Sequence, residues 1–160
     1  MAETTETTRA AIVGLLNAVP GIGVVHAYER YAAKHPELRA LYVVQTGAGT
    51  EQLRGWYVRR LSFRVERDGM DGRRVFTTWL IRGVMALQDS TQSELEFDAL
   101  VDSIRRAFED DATLGGAVTS TLTPDGEIGA QLTGAGPVMF AGVLCHAADL
   151  TLTTETWEES

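Results

Sequence analysis

Two stretches of apolar-polar alternation, residues 55–67 and 73–87, are separated only by Asp68-Gly69-Met70-Asp71-Gly72. A connection this short cannot cross over a sheet, so the second stretch must return antiparallel to the first as a long hairpin. In the first stretch Leu61, Phe63 and Val65 alternate with Arg60, Ser62, Arg64 and Glu66, the two-residue period of a strand. Trp56 and Val58 fall in the opposite parity, which predicts a bulge or twist near Arg59. In the second stretch Val75, Trp79, Ile81 and Met85 lie on one side and Phe76, Leu80 and Val84 on the other. Apolar residues on both sides predict a strand covered on both faces over part of its length.

The remaining elements organise around that hairpin. Phe97, Leu100, Val101, Ile104, Ala107 and Phe108 form one helical stripe. Thr91-Gln-Ser-Glu94 ahead of it has the pattern of a capping box, with Asp89 and Ser90 as alternative caps. An earlier helix is predicted from about residue 8 to 19 on Ile12, Leu15, Leu16 and Val19, capped by Thr5, Thr7 or Thr8 and stopped by Pro20-Gly21. A short strand follows over 24–28. Residues 36–44 suggest a short helix and then a brief strand, and 46–52 a flexible loop around Gly47 and Gly49. Beyond the long helix, 117–122 and 127–132 flank Thr123-Pro-Asp-Gly126, a type I turn signal, and predict a hairpin. Gly134-Ala-Gly-Pro137 predicts a chain break, and 138–154 one last strand. Residues 155–160 read as an acidic tail carrying Trp157. Hairpin-linked strands with two main helices predict an α+β domain, a twisted, mostly antiparallel sheet with the helices packed on it. With 160 residues and no linker, one domain over 1–160 with short flexible tails at both ends is expected.

Charge narrows the function classes. The chain carries −8, yet residues 54–82 hold eight arginines against three carboxylates, a net of +5 that leaves −13 to the rest. This pattern suits a solvated basic face. It equally suits self-complementarity, with one basic face meeting an acidic face of a neighbouring copy in a head-to-tail contact. RNA binding is a weaker fit, because the segment lacks the aromatic-glycine signature of an RNA-binding sheet, and overall acidity disfavours generic nucleic-acid binding. No apolar run reaches the length of a membrane-spanning helix. The first six residues are acidic and polar, unlike a secretory signal, so an intracellular protein is expected.

No catalytic constellation emerges. Cys145 and His146 are adjacent, and adjacent residues of a strand point to opposite faces, so they are not expected to pair. Asp149 also faces away from His146. His26 and His35 are too scattered for a metal site. Asp68-Gly-Met-Asp71-Gly lacks the ligand alternation of a calcium loop. Gly21-Ile-Gly23 is half of a dinucleotide fingerprint and leads into a strand instead of a helix. No enzyme activity, cofactor or metal is expected.

The run from Phe76 to Asp89, then Ser93-Glu94-Leu-Glu-Phe97, Phe108 to Gly116, and Met139 to His146, resembles the tail terminators of tailed bacteriophages and prophages. The opening helix followed by Val19-Pro-Gly-Ile-Gly23-Val-Val-His26 resembles the same family. The resemblance runs through nearly the whole chain and is weakest over residues 34–49. It implies a small α+β protein that assembles as a ring, usually a hexamer, on the head-proximal end of the tail tube. Such a ring stops tube growth and presents a docking surface for the neck. It implies a homo-oligomer with tube protein, neck protein and, in contractile tails, sheath protein as partners. DNA is only cargo passing through the channel, and the location is the virion, after assembly in the host cytoplasm. Another neck or tail-completion ring is the alternative, and a small ligand-binding domain or enzyme a further one. Within this picture Arg60, Arg64 and Arg82 are the candidate subunit-interface residues. Arg60 and Arg64 are expected to project from the side opposite Leu61, Phe63 and Val65. Trp157 is the candidate partner contact.

Overall fold

The computed structural model describes residues 4–47 and 49–159. Its order is α1 (Thr5–Asn17), β1 (Val24–His26), α2 (His35–Ala40), β2 (Val43–Gly47), β3 (Thr50–Asp68), β4 (Gly72–Ala86), a single 3-10 turn (Asp89–Thr91), α3 (Ser93–Glu109), β5 (Gln131–Phe140) and β6 (Val143–Glu159). The six strands form one mixed sheet of order β1-β3-β4-β6-β5, with β2 also on β3. Among the described residues only the β1–β3 pairing is parallel. The architecture is α+β.

The expected hairpin is present, β3 against β4 from Arg54–Met85 to Asp68–Gly72. Its bulge lies between Arg60 and Ser62, one or two residues beyond the predicted place. On one face of the sheet α1 and α3 lie over Trp56, Val58, Trp79, Ile81, Leu150 and Leu152, making the main core. On the other face Tyr42, Leu53, Tyr57, Val84 and Cys145 make a smaller cluster under α2. β4 contributes to both, as its two-sided pattern predicted. Gly83 gives this centre its tightness: a Cβ there would enter the Trp56 ring. At Gly23 the backbone has φ +90°, and a Cβ would strike the Arg54 carbonyl, so β1 can approach β3 only with glycine at this place.

Several expectations are corrected. α1 starts earlier and ends earlier than predicted. Thr4, not a later threonine, is its cap, with the Thr4 and Thr7 side chains bonding each other's backbone N–H at 3.1 and 2.9 Å. Residues 46–52 form the β2–β3 hairpin instead of a loose loop; Ala48 lies outside the described residues. The Thr91 capping box does not form. Thr91 Oγ1 donates to the Gln88 carbonyl, Gln92 takes the left-handed conformation, and α3 begins at Ser93, whose hydroxyl is committed to the Gln88 N–H and to His146. The Thr123–Gly126 turn closes, with Gly126 N–H donating to the Thr123 carbonyl, but its flanks make only the isolated bridge Leu122–Ile128.

The largest correction is at the end of the chain. Gly134 to Pro137 do not break the chain; they are the middle of β5. The turn falls at Ala141-Gly142, both at positive φ, as a two-residue hairpin requires. An outermost strand tolerates Gly and Pro because one side of its backbone needs no partner. The predicted acidic tail is instead the last part of β6, paired with β4 as far as Glu159–Gly72. The expected N-terminal tail, residues 1–3, lies outside the described residues.

Candidate assembly surface

The basic segment is divided by its internal partners. Arg54 reaches Glu96 of α3 at 2.7 Å, Arg59 reaches Glu29 at 3.1 Å and Arg74 reaches Asp68 at 3.2 Å. Arg64 pairs with Glu66 and lies 4.0 Å over the Phe76 ring. Arg82 holds Asp149 through two hydrogen bonds, of 2.7 and 2.9 Å, and donates to the Tyr57 hydroxyl at 3.1 Å. That bidentate pairing raises the Arg82 pKa. Arg60, Arg67 and Arg73 have no ion pair among the described residues. Arg60 also lies near Arg9, whose pKa is lowered first by burial and then by that like charge.

Of the three arginines picked from sequence, Arg60 is therefore the one without an acidic partner. Arg64 and Arg82 are engaged within their own chain. The expected shared side of Arg60 and Arg64 is also corrected. The bulge at Leu61 puts Arg60 opposite Trp79 and Arg64 opposite Phe76, so they stand on opposite faces. Arg60 then shares the helix-side face with Phe63 and Val65, over whose Phe63 ring its guanidinium lies at 5.4 Å. Leu61, Phe63 and Val65 remain 50, 57 and 49% exposed, because this half of β3 extends past the helices. Trp157 sits in β6 opposite Arg74, with its indole covering Gly72, and is partly exposed.

Behind this arm, on the α2 side, lies a cleft of about 550 Å3. Its floor carries Tyr57, Arg82 and Asp149, and Tyr42, Phe140 and Gly136 line it. Burial pushes the Tyr42 hydroxyl up to about 12. Burial also raises Tyr57, against the lowering effect of the Arg82 hydrogen bond. This cleft and the pair at its floor were not expected from the sequence. One signal was present: Arg82 is the single charged side chain of residues 75–88, and Asp149 the single Asp, Glu, Lys or Arg of residues 128–154.

Cys145 and His146 face opposite sides. Cys145 is buried beside Tyr42 and Val84, and burial pushes its thiol up to about 11, away from the thiolate a nucleophile needs. His146 Nε2 shares a 2.7 Å hydrogen bond with Ser93 Oγ and stacks on Phe97. Ser93 is buried and already accepts from the Gln88 N–H, so the contact fastens the start of α3 to the sheet. Among the described residues no group of three or more His, Cys, Asp or Glu is placed to hold a metal. No helix of the described residues is long and apolar enough to cross a membrane. No family model matches the chain, and no curated protein matches it.

Proposed function

We propose that this chain is a structural ring subunit of a bacteriophage tail. In this reading it is a terminator, in a ring expected to have six copies, that ends tube growth at the head-proximal end and docks the neck. The family comes from the sequence resemblance. The observation that carries assembly is the outer half of β3, where exposed apolar side chains alternate with arginines beyond the helix layer. A monomer gains nothing from such a surface, whereas a partner would bury it. The acidic surface of α3, with Glu94, Asp98 and Asp102, offers a complement on another copy. Net charge of −8 suits a channel that DNA crosses without adhering. The virion is the proposed location, with tube, neck and, in a contractile tail, sheath proteins as partners. No catalytic step is proposed.

The test is light scattering of the purified protein, alone and with its tail tube protein, followed by imaging of tube ends. A discrete ring mass, alone or on tube, is expected; a protein that ignores the tube overturns the terminator. Binding at the portal side instead of the tube end would assign it to a neck or completion ring.

The cleft over Arg82 and Asp149 favours a second reading, a small-ligand site with an ion pair and a tyrosine at its floor. A ligand screen by thermal shift decides it. A hit must lose its shift in Arg82→Gln, and an empty screen discards this reading.

A further inference from the structure

We propose that copies of this chain join head-to-tail by continuing the sheet, the outer half of β3 of one copy lying antiparallel along β5 of the next. This rests on the ring reading above and names its contact.

The backbone supplies the first reason. β2 and β1 take β3 as far as Tyr57, and beyond that point β3 pairs only with β4. At the other end of the sheet β5 pairs only with β6. Two stretches, residues 59–67 and 131–140, thus have one side without a strand partner among the described residues. Exposed edges of this length are templates for another strand. Each copy carries one of each, so a repeating contact uses both and leaves neither open when a ring closes. Direction agrees as well. β5 runs antiparallel to β6, and β6 runs parallel to β3 through β4, so a neighbour in the same orientation presents its β3 antiparallel to β5.

The side chains supply the second reason. On the helix-side face, β3 carries Phe63 and Val65 opposite Thr77 and Val75. On the same face β5 carries Leu132, opposite Leu150, and then Ala135, Pro137 and Met139. Leu132 and Met139 are 54 and 67% exposed. Set side by side, these two apolar rows cover each other. Residues 128–144 contain no charged side chain, so no charge would be buried from β5. Pro137 offers no N–H, which interrupts the new ladder at one position.

Charge fixes the choice of partner. Arg60 and Arg67 flank the apolar pair on β3 on this face, without ion pairs among the described residues. Beside β5, Glu94 and Asp98 of α3 line one hollow with Ala135 and Pro137, and Asp125 and Glu127 line another with Leu132, where Arg105 is paired with Glu109 of its own helix. Arginines of the incoming strand meet carboxylates there. Two β3 edges facing each other would instead oppose arginine to arginine.

The experiment uses the full chain with single cysteines. Phe63→Cys is mixed with Leu132→Cys, Ala135→Cys or Met139→Cys at up to millimolar concentration and oxidised mildly. Cys145 is buried and does not compete. A disulfide between the two different variants, at one or two of the three β5 positions, is expected, since a crosslink forms only at close Cα spacing. Arg60→Glu with Arg67→Glu should weaken association about tenfold, the effect of two exposed ion pairs, and reversing both hollows of the partner, Glu94→Arg with Asp98→Arg and Asp125→Arg with Glu127→Arg, should restore it. A discrete oligomer whose crosslinks join like variants, or form nowhere on these edges, overturns the contact and leaves the ring reading standing. A monomer throughout overturns the contact too, and the ring reading is then decided separately by tube-end binding.

Discussion

Residues 53–58 and 59–67 belong to one strand, yet they have opposite relations to water. In the inner half Leu53, Trp56, Tyr57 and Val58 are all buried, with helices over one face and α2 over the other. In the outer half every residue is exposed, including Leu61, Phe63 and Val65. Both halves carry large apolar side chains. What separates them is coverage, since alternation selects a face while the neighbouring elements decide whether that face is dry. The inner half belongs to the core, and the outer half is the candidate contact surface.

The strongest way to break this contrast is Trp79→Ala in the inner region. Trp79 is buried, donates its indole N–H to Thr154 Oγ1 at 3.0 Å and lies beneath Arg9. Its loss should cost about 3–5 kcal/mol in denaturant unfolding. Gly83→Ala comes next, at about 1–3 kcal/mol, because the added methyl collides with the Trp56 ring.

A pH series sharpens the same boundary. The thiol of Cys145 is held up to about 11 from its ordinary 9.0, and Tyr42 up to about 12 from 10.0, both by burial. Folding favours their neutral forms, so stability is full below about pH 9 and falls as pH rises through 11 and 12, where the unfolded chain ionises and the folded chain resists. Cys145→Ala should flatten the first part of that fall. Asp149→Ala should cost about 1 kcal/mol, since the Arg82 pair is partly open to solvent, and the loss should shrink in salt. Phe63→Ser should have the smallest effect on unfolding, within about 0.5 kcal/mol, while reducing self-association measured by light scattering. A large loss of stability from Phe63→Ser would erase the division between the two halves.

The elements with a strong internal period were legible from sequence. The β3–β4 hairpin and the α3 stripe stand where the alternation and the helical spacing put them, because each pattern encodes one face of one element. Local chemistry was less dependable where a distant partner competed for it. The hydroxyl of Ser93 binds His146, 53 residues away, so the cap predicted at Thr91 gave way. Gly134 to Pro137 read as a break because their local preferences oppose a strand interior, yet only an interior strand forbids them. The face that Arg60 occupies was not legible, because the bulge at Leu61 changes the parity for everything upstream of it.

Periods and counts within short windows were enough for the α+β class, the long hairpin, the main helix and the uneven charge. Tertiary structure alone decided which half of β3 is covered, that β5 ends the sheet and that Arg82 is taken by Asp149. Those outcomes depend on which elements lie beside one another, and side-chain burial and ion pairing are properties of that neighbourhood, not of the local chain.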